Sequence, residues 1–536
     1  MKKLIATAGL LVCFGVAFAG GLLTNGNQSA QYIRMLSRNA STTVDAVYFN
    51  PAGLMLMDNG FYIAIQNQSI VQSKTVESYY PLLNSSTYDG AVKAPLFPTA
   101  YAVYKLDKVA FSLGVGPNSG GGSAEFGHGL PSFEKSISQL VPGLAGLSQI
   151  GQSISGYNAD IYFKGESVYW GIQGGVSFKV NDKISLYGGL RYVPASNKYT
   201  GHINNIQVKA NGVFKTASSY LSGEVAPIFT GLAAQATAGA AGVQPLISAG
   251  AGAYNLSTLQ GAGYITTAQR TQIESGLLGL GVTQAQINVM SVNTIQSTFN
   301  STAAMLNSNA ATMVATAASL TDKAVDVNQT GSGVTPILGV NLSLCEGLNI
   351  GMKYEFMTKL TLTNATKVDG TGMFPDKAKT SSDIPAIFSV GVDYKLTKNL
   401  LLSTSFNHYY DKGVDWGNNI YNQPRVMQKN GREYALGGQY QLCKKVAVSV
   451  GYLRTIMGVY EQFNSDFSYY SNSNTFSGGF ELKPTSRLTV DLGALFTNYD
   501  NAPKLMSDPS VGNYYEIYKK HNVCYAVGLA YHFGGK

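Results

Sequence analysis

Charge is scarce in this chain. Of 536 residues only 13% are Asp, Glu, Lys or Arg, against about a quarter in an ordinary soluble protein. Long apolar runs are missing too. After the amino-terminal stretch nothing approaches about twenty successive apolar residues, which excludes a membrane-spanning helix. Cysteine is nearly absent. Cys345, Cys443 and Cys524 have neither pairing arithmetic nor metal-ligand spacing, so no disulfide frame and no metal site is expected. His128, His202, His408, His521 and His532 stand apart from one another, and no G-x-S-x-G occurs. An enzyme is therefore not expected, nor a cofactor. The net charge of +8 is spread without a basic run or nucleic-acid motif, so no nucleic-acid partner is expected.

What is present is aromatic and small: 34 Tyr, 23 Phe and 60 Gly. The mean hydropathy is +0.01. Low charge at middling hydropathy suits a membrane β-barrel, whose strands alternate lipid-facing and lumen-facing residues. Residues 1–19 read as a signal peptide. Lys2 and Lys3 precede a short apolar run, and Ala17-Phe18-Ala19 forms a small-x-small cleavage site.

Period-two alternation is clearest near the carboxyl end. Tyr525, Val527, Leu529, Tyr531 and Phe533 share one face; Ala526, Gly528, Ala530 and His532 take the other. Val446, Val448, Val450 and Tyr452 likewise oppose Ala447, Ser449 and Gly451. A second face of Gly, Ala and Ser suits a crowded lumen. Six tight polar turns, at 105–108, 180–183, 344–347, 396–399, 442–445 and 483–487, each join two such runs. Longer connections lie between the pairs, at 117–157, 364–382, 412–431, 457–472 and 500–521. Short turns at one end and long loops at the other is the periplasm–exterior asymmetry of outer-membrane barrels. The expected fold is all-β: a transmembrane antiparallel barrel of about 14 strands. Closure removes edges that lipid would not tolerate.

Residues 20–59 alternate poorly and end in "DAVYFNPAGL" (45–54). Pro51 lacks an N–H and biases Asn50 away from the helical region, so a rigid turn is expected here. Forty residues ahead of a wide barrel have a place inside it, as a plug. The barrel proper then spans 60–536. It includes a large, partly helical loop insert at 207–324, which is expected on the extracellular side.

With these elements in order, the chain resembles the FadL/TodX-type outer-membrane transporters of long-chain fatty acids and other hydrophobic compounds. "DAVYFNPAGL" is similar to the family's Asn-Pro-Ala hatch motif. "YKLDKVAFSLGVGPNSGGGSAEF" (104–126) looks like its second hairpin running into a broken third strand. "DIPAIFSVGVDYKLTKNLLLSTSFNHYYDKGVDW" (383–416) looks like a later hairpin. The chain departs from the family pattern in ending Gly534-Gly535-Lys536 after the last aromatic, and in the size of its insert.

The resemblance implies passive uptake in the outer membrane of a Gram-negative bacterium: capture on apolar outer loops, binding in the lumen, and sideways exit through a kinked strand. It implies a hatch turn at Asn50, Pro51, Ala52 and Gly53, and a gate at Gly116, Pro117, Gly120, Gly121 and Gly122. Its partners would be hydrophobic ligands such as fatty acids, outer-membrane lipids and the barrel assembly machinery. Alternation points Arg191 and Lys353 into the lumen, as candidate head-group contacts. In the insert, Thr266 with Gln269 and Thr283 with Gln286 form possible capping boxes. Phe299, Leu306, Met313 and Leu320 belong to one apolar helical stripe, a candidate outer surface that could equally pack on neighbouring loop helices. The alternative is a general diffusion porin, or a structural or adhesive barrel.

Overall fold

The computed structural model describes residues 26–417, 425 and 427–534. The expected signal peptide (1–19) and the start of the expected plug (20–25) lie outside the described residues. The first barrel strands are β1 (Gly60–Ser78), β2 (Thr87–Lys105), β3 (Val109–Phe126), β4 (Ile154–Lys179) and β5 (Ile184–Ala210). After the insert come β6 (Lys323–Cys345), β7 (Leu348–Glu355), β8 (Ile387–Lys395), β9 (Leu400–Tyr409) and β10 (Arg432–Cys443). Then β11 (Val446–Ile456), β12 (Ser473–Leu482), β13 (Leu488–Tyr499) and β14 (Gly512–Phe533) complete the series. Each pairs with the next. β14 returns antiparallel to β1, with Phe61 opposite Phe533 and Ser78 opposite Glu516. The result is a closed barrel of 14 strands.

All six tight turns fall between paired strands, as their Lys/Asp/Asn/Gly chemistry predicts. The long connections are more structured than expected. β3 continues through Pro117 to Phe126, so the connection at 117–157 shrinks to 127–153. Thr361–Asp369 and Lys379–Ser381 form a small hairpin on β6, and Ala502–Asp508 pairs with the start of β14. These peripheral strands extend their neighbours without joining the ring.

The outer face is apolar: Leu190, Leu338, Leu436, Val450, Phe476 and Leu529 all point away from the lumen and are exposed. That is the surface hydrocarbon requires. The inner face carries Gly and small polar residues because residues 26–59 lie directly against it. A Cβ on Gly351 would stand 2.2 Å from the Asn39 carbonyl oxygen, and one on Gly451 the same distance from that of Met35. At Gly391 it would meet the Ala40 nitrogen at 2.6 Å. Here backbone packs on backbone, which only glycine allows.

Two compact units are distinguishable. Among the described residues one comprises Ser136–Asp160 and Asn204–Asp322, and the other the remainder. The first thus takes in 136–160 besides most of the expected insert. It is built around α-helices Ala226–Ser248 and Val292–Ser319, with shorter helices between. Both expected capping boxes are formed, Thr266 with Gln269 and Thr283 with Gln286. The apolar stripe is turned inward. Phe299, Leu306 and Met313 are 2%, 7% and 5% exposed, and the Phe299 ring seats against Gly239 of the facing helix. Leu320 follows at the helix end, half-buried. An outer capture surface made of these four residues is therefore corrected: the stripe packs one loop helix on another, since Ala-rich helices approach closely enough to bury it.

Gly451→Val should undock the amino-terminal segment at a cost of about 1–3 kcal/mol without opening the barrel. The expected result is a normal heat-modifiable gel shift together with new tryptic cleavage after Arg34 and Arg38 in the folded protein.

Candidate functional site

Residues 26–59 fold into α1 (Ala30–Met35), α2 (Ala46–Phe49) and a 3-10 turn, Pro51–Leu56. Ser29 caps α1, its side chain accepting from the Tyr32 N–H. The Asn-Pro-Ala-Gly turn is tied to the wall at each step. The Asn50 amide donates to the Ser41 carbonyl at 3.0 Å and to Asn341 Oδ1 of β6 at 2.7 Å. Ser177 of β4 and Ser185 of β5 donate to the carbonyls of Pro51 and Ala52, each at 2.7 Å. Pro51 starts the 3-10 turn, where its missing N–H costs nothing. Gly53 is required because a Cβ would stand 2.6 Å from the Ser41 carbonyl oxygen.

Three ion clusters hold the rest. Arg34 reaches Asp491 of β13 at 2.8 Å and Glu481 of β12 at 2.9 Å. Arg38 binds Asp45 at 2.7 Å inside the segment. Burial pushes the Asp45 carboxyl up, but Arg38 and hydrogen bonds from Ser41 and Thr43 outweigh it and hold it below the usual range. In the third cluster, Arg191 and Lys353 face inward as alternation predicts. Both are committed to Glu355, at 2.6 and 2.7 Å. Lys353 also donates to the Tyr48 carbonyl at 2.6 Å, and the Tyr48 ring lies beneath both cations at 4.7 and 4.5 Å. The two cations share the single carboxylate of Glu355, which offsets one of their two charges, and in this arrangement they hold α2.

Gly116, Pro117 and Gly120–Gly122, the residues expected to form a gate, sit where the β2–β3 pairing lapses. Lys93 of β2 pairs with Ser123 of β3, and the next pair is Ala100 with Val115. Between these, residues 94–99 and 116–122 do not pair with each other. Toward β4 the ladder persists, with register shifts between Pro117 and Ser119 and between Gly120 and Gly122. Proline and glycine suit such bulges. Gly120 and Gly121 adopt positive φ, +66° and +103°. The Phe97 ring fills the space beside Gly121.

Sequence reasoning missed how the break is held. Gln28 donates to the Pro117 carbonyl at 2.8 Å, and Asn118 accepts from Arg191 at 3.0 Å. The kink, the third ion cluster and α2 thus form one connected network. Asn118 carries no sequence signal beyond its place between Pro117 and Gly120.

Behind the break lies a cavity of about 380 Å³. It is lined from Phe97 and Gly120–Gly122, past Tyr32 and Leu36, to Tyr469 and Lys520. Its walls mix apolar and polar groups.

Solved structures share the fourteen-stranded barrel fold. One is a Pseudomonas aeruginosa FadL homologue at TM-score 0.56 and 13% identity, over 96% of this chain and 100% of that one. Another is the Pseudomonas putida toluene transporter TodX at TM-score 0.51 and 13% identity, with the same coverage. No protein-family model matches the sequence, and no curated protein does. At this identity the likeness is one of fold: the chain is a 14-stranded β-barrel of the outer-membrane type.

Removing Arg34 leaves Asp491 buried without its cation, while Glu481 keeps Lys483 at 2.9 Å. Arg34→Met should cost about 3–5 kcal/mol of docking, read as faster hydrogen exchange over residues 28–50. The Asp45 contribution is present above the unfolded aspartate value of about 3.9 and is lost as pH falls through its lower folded value. Asp45→Asn should weaken docking at pH 7 and remove that part of the acid dependence in the same measurement.

Proposed function

We propose that the protein is a passive outer-membrane channel for hydrophobic compounds, long-chain fatty acids among them. A molecule enters from the loop end, rests in the lumen cavity, and leaves sideways between β2 and β3. Residues 26–59 act as the hatch that stops the axial path, and Asn50 to Gly53 fix that hatch to the wall. The single observation that carries this reading is that residues 94–99 of β2 and 116–122 of β3 do not pair with each other where they flank the cavity. An apolar molecule gains about 0.8 kcal/mol per buried CH₂. Partition from cavity to bilayer therefore needs no energy source, and no covalent step is involved. Among the described residues no three metal-ligating side chains come together.

The break itself provides the test. A Cβ on Gly122 would lie 3.5 Å from that of Ala94, within disulfide range. In a chain whose native cysteines are replaced by serine, Ala94→Cys with Gly122→Cys should staple the wall. Uptake of labelled oleate by cells should fall to background and return with reductant. Unchanged uptake in the fully oxidised protein would eliminate lateral exit, and a large steady ohmic conductance would point to a diffusion pore.

A further inference from the structure

Where the β2–β3 pairing lapses, the residues that face the lumen are unequal in size. Ala94, Phe97, Ser119 and Gly120–Gly122 line the 380 Å³ cavity there. Apart from Phe97 they carry a methyl, a hydroxymethyl or no side chain at all. The bulk at this place is a single phenyl ring. It is 1% exposed although the ladder beside it is open.

The backbone explains why the ring points inward and what holds it. Against β1, Gln68 pairs with Phe97 and Ile70 with Ala94, so β2 carries one extra residue between them. Such a bulge re-aims side chains. Phe97 shares the inward face with buried Gln68, and Leu96 beside it faces out, 73% exposed. The Phe97 N–H donates to Asn67 Oδ1 of β1 at 3.0 Å, and Asn67 donates back to the Pro95 carbonyl at 3.2 Å. These bonds fix the main chain at Phe97 and leave rotation about χ1 as the soft motion. On the β3 side the ring rests on bare backbone. A Cβ on Gly121 would stand 2.5 Å from the ring Cε2 and 2.7 Å from Cδ2. Hinged at Cα on a fixed strand, with the cavity beside it to turn into, the ring is a door leaf. Closed, it covers the lapse; turned aside, it leaves a gap about its own size, bordered by Ala, Ser and Gly.

We infer that Phe97 sets the size limit of lateral exit: its ring swings aside for slender apolar cargo, an unbranched chain or a single ring, and holds back molecules with a bulky fused-ring end. This rests on the lateral-exit reading and adds which cargo passes.

The probes are labelled oleate and a dodecanoic acid ending in pyrene, which share a head group and differ in girth. Uptake by cells is measured beside binding to the full chain in detergent, followed by pyrene fluorescence and its displacement by oleate. Each variant is checked by its heat-modifiable gel shift. Wild type should bind both acids and take up oleate in strong preference. Phe97→Ala should raise uptake of the pyrene acid at least about tenfold with its binding little changed. Phe97→Leu should fall between, and Phe476→Ala, which removes an exposed ring of the outer face, should match wild type. Equal uptake of the two acids by wild type, or an uptake ratio unchanged in Phe97→Ala, would overturn the size limit. So would a wild type that fails to bind the pyrene acid, or a gain in its binding as large as the gain in uptake, since either places the limit in the cavity. The Ala94→Cys, Gly122→Cys staple separates this from the transport reading. Oleate uptake unchanged by the oxidised staple rejects lateral exit itself. Oleate stopped by the staple, with the ratio unchanged in Phe97→Ala, rejects the role of Phe97 alone.

Discussion

A peptide group in hydrocarbon has no water to bond to, and the closed ladder of fourteen strands answers that constraint. Every other feature is arranged around it. Closure leaves a bore too wide for side chains from the wall to fill, so 34 amino-terminal residues (26–59) lie inside and bring their own backbone close to the strands. The stretch where the β2–β3 ladder lapses is not left to chance. Gln28 donates to the Pro117 carbonyl, and Asn118 is held by Arg191. The Phe97 ring covers Gly121 from within. An interruption that would be costly in a plain barrel is supported by the same segment that occupies the bore.

Electrostatics binds segment and wall together. The wall presents Asp491 and Glu481 where Arg34 arrives, and Arg191, Lys353 and Glu355 where Tyr48 arrives. Breaking a buried pair costs several kcal/mol because one charge is then stranded. Replacing the whole pair by apolar groups often does not, so the pairs speak for one docked position more than for stability.

Much of the barrel was legible in the residues. Turn chemistry at "KLDK", "VNDK" and "KPTSR" marked hairpins, because Asn, Asp, Pro and Gly meet backbone demands that are local. The capping boxes at Thr266 and Thr283 were legible for the same reason: donor and acceptor lie three residues apart. Alternation named the inward faces of Arg191 and Lys353 correctly. It was silent on the pairing of Arg191 with Glu355, since these two meet only through the register of β5, β6 and β7. The stripe on helix Val292–Ser319 showed the limit of periodicity, which identifies an apolar face and says nothing of what covers it.

By itself, then, the order of residues determined strand number, turn positions, the sidedness of the clearest strands and the stiff turn at Asn50-Pro51, because each follows from contacts within a few residues. Only the tertiary structure decided which charges are neutralised, where the β2–β3 ladder lapses, and that Gln28 and Asn118 support the lapse. Those outcomes depend on groups tens to hundreds of residues apart. Their meeting is set by the register of a closed cylinder rather than by any local preference.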